Sequence, residues 1–331
     1  MVAPDLPAEL KAALDAKLHG LPRGEAAARS AVISQTYRNG GGSAAIRAEA
    51  DALAYALARM PATYAAVTAC LNALCEVKPD FAPDSLLDLG AGPGTATWAA
   101  AEAFPSLAAF ASIDANPALR SLALELFGRS PRLSAVRYLQ GKAQAALANA
   151  EAADLVIASY LVGEVDDPAR AVLAELMWSK TRDTLIVVEP GTPAGYARVI
   201  ALRAQLIGSG AHVAAPCPHD KQCPLTPPDW CHFAQRLPRS RAHRSRSVPP
   251  ACWRRQSSAR RRSRPSSARP TVSFLQRSPA ATNRPMRAPG AGAGATPLRK
   301  VNGFRGLSLN HSLLARDQGD THLVAADLRL I

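Results

Sequence analysis

Apolar and polar positions divide the chain into two periodicities. Up to about Val77 the period is helical: Leu10, Leu14 and Leu18 fall four apart on one face, and Gly20 and Pro22 end the run. A second helix is predicted from about Glu25 to Tyr37, stopping at Asn39 and the three glycines that follow. A third begins after Ser43 with ALAYALARMPATYAAVTACLNAL, where Pro61 predicts a bend or a restart. Short apolar runs then take over, from Ser85 to Leu89, Ala109 to Asp114, Ala135 to Leu139, Asp154 to Ser159 and Thr184 to Glu189. Ala-rich helical segments separate them, the βαβ rhythm of a doubly wound, mostly parallel sheet. Residues 1–80 thus read as a helical N-terminal module and 81–210 as an α/β core.

The chemistry starts where the first strand ends. SLLDLGAGPGTATWAA passes from an apolar run through Asp88 into Gly90, Ala91, Gly92 and Gly94 and then into a helix. Small residues there let backbone N–H groups and the positive helix end approach a ligand. A dinucleotide loop requires GxGxxG or GxGxxA, but GAGPGT puts Thr95 at the last small position and Pro93 inside the turn. The DxGxGxG form resembles motif I of the Rossmann-like S-adenosylmethionine methyltransferases. ASID, ending in Asp114, lies about one repeat further on, where a carboxylate can accept hydrogen bonds from ribose hydroxyls. A plain strand-to-helix turn is the alternative for the glycines alone; the spaced Asp114 favours a nucleoside. Ligands of open α/β sheets sit at the carboxyl ends of the strands, which adds Ser159, Tyr160 and Glu189 to that edge. Tyr160 reads as a purine-stacking ring or a half-buried structural one, and Glu189 as functional or as a loop carboxylate held by backbone N–H groups.

Composition changes this picture in two places. The net charge of +13 belongs to the tail: from Leu237 onward nineteen Lys and Arg face three Asp, leaving twenty basic against twenty-three acidic residues before it. A nucleic-acid role argued from charge therefore rests on the tail. Three of the six cysteines crowd into CPHDKQCPLTPPDWC, and without a secretory signal such clustering favours metal over disulfides. Cys217, Cys223 and Cys231 are six and eight residues apart, too far for a zinc knuckle, and five prolines stiffen the loop. Thiolates hold iron–sulfur clusters, normally four of them, and three are present. Zinc completed by His219 or His232, and three unligated thiols, are the alternatives. Cys70 and Cys75 read as buried small side chains. No uninterrupted run of about 18 apolar residues predicts a membrane span. The early acidic residues and the missing apolar region at the N-terminus argue against signal and transit peptides, which predicts a cytoplasmic protein.

YALARMPATYAAV, LLDLGAGPGTATWAA, SYLVGEV, VVEPGTPAG and above all APCPHDKQCPLTPPDWCHFAQRLPRSRAHR carry a wider likeness, from about Pro7 to Arg244. On them the chain resembles the methyltransferase-like family of small-ribosomal-subunit assembly proteins, which has mitochondrial members and bacterial relatives. The resemblance implies a Rossmann-like methyltransferase fold that binds S-adenosylmethionine, a 4Fe–4S cluster, and association of a monomer with the small subunit and its ribosomal RNA. It implies that Asp88 and the backbone of Gly90 to Gly94 hold the methionine end, Asp114 the ribose, and Ala115 with the loop after the third strand the adenine. Lys142 stands where many such folds carry an acidic residue, and SYLVGEV where base-modifying enzymes often carry NPPY or DPPY. No catalytic base is identified.

Residues 211–243 form the cysteine-rich segment. After about His243 Arg, Ser, Pro, Ala and Gly dominate and apolar periodicity vanishes, so 244–331 reads as disordered or as an out-of-frame translation of a GC-rich gene. An arginine-rich RNA-binding arm is the alternative. The antiparallel strand and further cysteine that the family implies are not recognisable there; Cys252 is left out as a ligand, and HLVAADLRLI is a weak candidate to patch the sheet edge. Two functions follow: methyl transfer from S-adenosylmethionine to ribosomal RNA, or a non-catalytic assembly factor with the cofactor and cluster as structural parts. A nicotinamide oxidoreductase is disfavoured by Thr95.

Overall fold

Burial on both faces of one sheet explains why its strands read as continuous apolar runs. The computed structural model describes residues 1–18, 22–238, 271–277 and 321–324. Strands β1 (Ser85–Leu89), β2 (Ala109–Asp114), β3 (Arg137–Gln140), β4 (Ala153–Ser159) and β5 (Thr181–Glu189) are parallel, and β6 (Ala211–Ala215) closes the sheet. Alternate residues go to opposite cores. Leu86, Leu155, Ile157, Ile186 and Val188 join one buried cluster, whereas Leu87, Leu89, Val156, Leu185 and Val187 join the other.

Helices α1 (Ala8–Leu18), α2 (Arg23–Arg38) and α3 (Glu49–Val77) share the first cluster with α4 (Thr95–Ala103) and α5 (Pro117–Phe127). The N-terminal helices are therefore continuous in packing with the sheet rather than a separate core. Helices α6 (Ala143–Ala148), α7 (Asp167–Ser179) and α8 (Pro193–Gly208) lie against the other face. Helix α3 does not restart at Pro61. Proline leaves the Leu57 carbonyl without its helical donor, but buried Ala58, Met60, Ala62 and Tyr64 hold the turns on either side. At its start Asp51 accepts from the Arg47 and Ala48 amides and from Arg29 on α2.

The tail supplies a strand that its composition conceals. Strand β8 (Thr271–Arg277) runs antiparallel between β5 and β6, with Ile186 opposite Phe274 and Val213 opposite Leu275, giving the order β3-β2-β1-β4-β5-β8-β6. This corrects the expectation of no such strand. TVSFLQR, between Pro270 and Pro279, carries β-branched and aromatic residues that whole-tail composition averages away. Strand β9 (Thr321–Val324) pairs with β7 (Gln235–Pro238) in a separate two-stranded sheet, not with the edge of the main one. Cys252 and the rest of the tail lie outside the described residues. The architecture is the Rossmann-like methyltransferase fold, a doubly wound sheet with one antiparallel insertion.

Candidate functional site

Alternation along β1 decides where Asp88 goes. It shares a face with Leu86, beneath α4, and is fully buried. Its Oδ2 accepts from the Thr97 amide at 3.0 Å and the Thr97 hydroxyl at 2.8 Å, and its Oδ1 has no partner. Burial pushes its pKa up to about 7. Asp88 thus supports the glycine loop from behind and does not line the cleft in front of it.

The loop itself turns through three left-handed glycines, with φ of +65°, +55° and +83° at Gly90, Gly92 and Gly94. Gly94 starts α4 against Phe127, and a Cβ there would lie 2.3 Å from that ring. At Gly92 a Cβ would make only ordinary contacts, with Leu119 at 3.9 Å and the Gly90 carbonyl at 4.0 Å. The Gly92 peptide is clamped from both ends: its N–H donates to Asp114 Oδ2 at 2.9 Å, and its carbonyl accepts from the Tyr138 hydroxyl at 2.7 Å. Asp114 Oδ1 accepts from the Asn116 amide at 2.7 Å, and burial holds the carboxyl above the usual range.

These residues border a solvent-open cleft at the carboxyl ends of β1, β2 and β4. Gly90, Gly92, Asp114, Ala115, Ser159 and Tyr160 line it, as the sequence reading expects. Ala91, Gly94 and Asp88 do not. Tyr160 adopts a left-handed φ of +59°, strain that a non-glycine residue accepts only when its surroundings fix it. Its amide donates to the Val188 carbonyl at 2.7 Å. Glu189 holds the same loop: it is fully buried, takes Arg198 Nε at 2.9 Å and accepts from the Gly163 amide at 3.2 Å. The loop-carboxylate reading of Glu189 is the one the geometry bears out. Lys142 caps α6 and stays outside the cleft.

Three lining residues have no local signal in the sequence. Tyr37 of α2 and Tyr55 of α3 stack at 5.9 Å between ring centroids, and Glu164 follows β4. Glu164 lies against Gly42, where an added Cβ would come within 2.9 Å of its carboxylate, while Asn116 Nδ2 donates to the Ser43 and Ile46 carbonyls at 3.2 and 2.9 Å. The turn around Ser43 is therefore fastened to the loop after β2 and lies against Glu164 of the loop after β4.

The cysteine segment packs along α8. Tyr196 donates to Cys223 Sγ at 3.2 Å, Trp230 Nε1 donates to the Gly191 carbonyl at 3.0 Å, and Arg203 reaches the His219 carbonyl. Cys217 is exposed, Cys223 and Cys231 half-buried. Burial, then the neighbouring Cys217 and Cys223, raise the Cys231 thiol. Among the described residues no group of three or more His, Cys, Asp or Glu side chains is close enough to hold a metal ion, so the three thiols do not complete a cluster site as placed.

A sequence profile described as "Mitochondrial small ribosomal subunit Rsm22" matches residues 49–254, more than half of the chain. The chain belongs to the Rsm22 family. It is 29% identical over 202 residues to the human "Ribosome assembly protein METTL17, mitochondrial", covering 56% of this chain and 44% of that one. It is 28% identical over 193 residues to the "Rsm22-cox11 tandem protein 2, mitochondrial" of Schizosaccharomyces pombe, covering 52% of this chain and 25% of that one. The chain thus spans less than half the length of these relatives. Among solved structures it is similar to an O-methyltransferase family protein from Burkholderia thailandensis (14% identity, 70% of this chain and 60% of that one, TM-score 0.43). It is also similar to the magnesium protoporphyrin IX methyltransferase of Synechocystis PCC 6803 with bound S-adenosylmethionine (13% identity, 76% and 97%, TM-score 0.39). The Rsm22-family relatives named here are mitochondrial proteins, which overturns the cytoplasmic placement read from the N-terminus.

Replacing Gly94 with Ala combines left-handed strain with the Phe127 clash and should cost about 3 kcal/mol in urea unfolding. A loss below about 0.5 kcal/mol would contradict the described turn. Asp88→Asn tests the buried carboxyl. Its folded pKa of about 7 exceeds the ordinary 3.8, so its contribution to stability is full below pH 4 and is lost as pH rises through 7. The variant, unable to ionise, should gain stability relative to the parent between pH 5 and pH 8; a difference independent of pH would refute the assignment.

Proposed function

We propose that the chain binds S-adenosylmethionine in this cleft and acts as a methyltransferase-like protein in small-ribosomal-subunit assembly, at ribosomal RNA. The observation that carries the cofactor is the convergence of the Gly92 backbone and Asp114 at one strand edge. The residues fit a nucleoside. Asp114 uses one lone pair on each oxygen for loop amides and keeps others for ribose hydroxyls. Gly92 lines the cleft without a side chain, which lets a ligand approach its backbone. Ala115 and Gly141, after β2 and β3, border the place for the adenine, and Tyr160 presents a ring beside Ser159. Bound there, the cofactor supplies an electrophilic methyl group, and the chain's own part is to hold and orient it. The ribosomal part of the reading is supported by membership of the Rsm22 family.

A specific feature favours the second reading, a non-catalytic assembly factor. The loop after β4 is committed to structure: Glu189 anchors Gly163, and Arg170 bonds the Val162 and Val165 carbonyls at 3.1 and 2.8 Å. For the cysteine segment we propose a metal-binding role with an iron–sulfur cluster first and zinc second. Its support is the placement of Cys217, Cys223 and Cys231 within one short proline-rich segment and the resemblance that this segment carries.

Calorimetric titration with S-adenosylmethionine tests the cleft. The parent should bind, and Gly92→Val or Asp114→Ala should weaken binding about tenfold or more; equal, negligible heat from all three would overturn the reading. A methylation assay on immature subunits then separates the two functions, with binding but no turnover marking the assembly factor. Anaerobically purified protein should be brown and contain iron. A colourless, zinc-loaded sample would transfer the segment to zinc, and a metal-free one would remove the proposal.

A further inference from the structure

The cleft carries an unbalanced charge. Asp114 and Glu164 both line it with Tyr37, Tyr55 and Tyr160, and among the described residues no Lys, Arg or His side chain does. Arg59 stacks on Tyr37 at 5.7 Å from the ring centroid and donates to Ser34 at 3.3 Å, outside the lining. Crowding by neighbours and then the charge of Asp114 hold the Glu164 carboxyl above its ordinary range, although the residue keeps solvent contact. A cation placed beside these two carboxylates relieves their repulsion, and the ring faces attract it as well.

Which part of the ligand supplies that cation follows from bonding. In S-adenosylmethionine the positively charged sulfur is attached directly to the 5′ carbon of the ribose, whereas the ammonium lies several bonds further along the methionine. If Asp114 takes the sugar, the positive group nearest to it is the sulfonium. We infer that Glu164 is a specificity-determining residue that recognises this sulfonium, so that the cleft prefers the methylated cofactor to its uncharged thioether product. The inference rests on the nucleoside reading above. It assigns a ligand contact to a carboxylate that otherwise only lies against Gly42.

The full chain is titrated with S-adenosylmethionine, S-adenosylhomocysteine and sinefungin, which carries an ammonium in place of the sulfonium. The parent should bind both charged nucleosides about tenfold more tightly than the thioether. Glu164→Gln keeps the size of the side chain beside Gly42 and should lose that preference by weakening only the charged ligands. Tyr37→Phe removes a neutral hydroxyl from the same wall without changing charge and should retain the preference. Equal affinities on the parent, or equal weakening of all three ligands in Glu164→Gln, overturn the inference while leaving the nucleoside site intact. No binding of any ligand to the parent overturns both.

Discussion

Everything around the cleft depends on how one residue, Gly92, is held. Asp114 at the tip of β2 accepts the Gly92 amide, and Tyr138 on β3 donates to the Gly92 carbonyl, so the turn after β1 is fixed by the two strands that follow it on one side of the sheet. A left-handed glycine in solution samples many conformations; these two bonds select one. The cost is a carboxylate kept near low-dielectric surroundings, visible in its raised proton affinity. Loop shape and ligand-facing charge thereby belong to the same side chain.

The N-terminal helices extend that logic outward. Their buried faces are continuous with α4 and α5, and the turn around Ser43 is bonded by Asn116 after β2 and packs against Glu164 after β4. Helices α2 and α3 thus contribute Tyr37 and Tyr55 to the cleft wall instead of standing beside it. On the opposite flank, Tyr196 and Arg198 lie on one helix two residues apart. The first touches the cysteine segment and the second grips Glu189.

Much of the core was legible because apolar runs ended in polar residues at strand tips. β1 and β2 fall where the pattern puts them, while β5 starts earlier, at Thr181, because Arg182 and Asp183 interrupt the apolar run. Asp88 sits at the predicted place but faces the wrong way for a ligand, a result available from its alternation with Leu87 and Leu89. The wall residues Tyr37, Tyr55 and Glu164 were not legible, since their meeting spans more than a hundred residues and no spacing rule encodes it. The left-handed Tyr160 was equally silent: its strain is imposed by the packed loop, not by its own preference.

The antiparallel β8 has a consequence for biogenesis. Strand β6 is complete at Ala215, yet its neighbour arrives more than fifty residues later. Until then a nascent chain leaving its own ribosome exposes the open edge of β5, with unpaired backbone groups beside one of the most apolar strands. Such late closure raises contact order and lengthens the interval in which chaperones must shield the sheet.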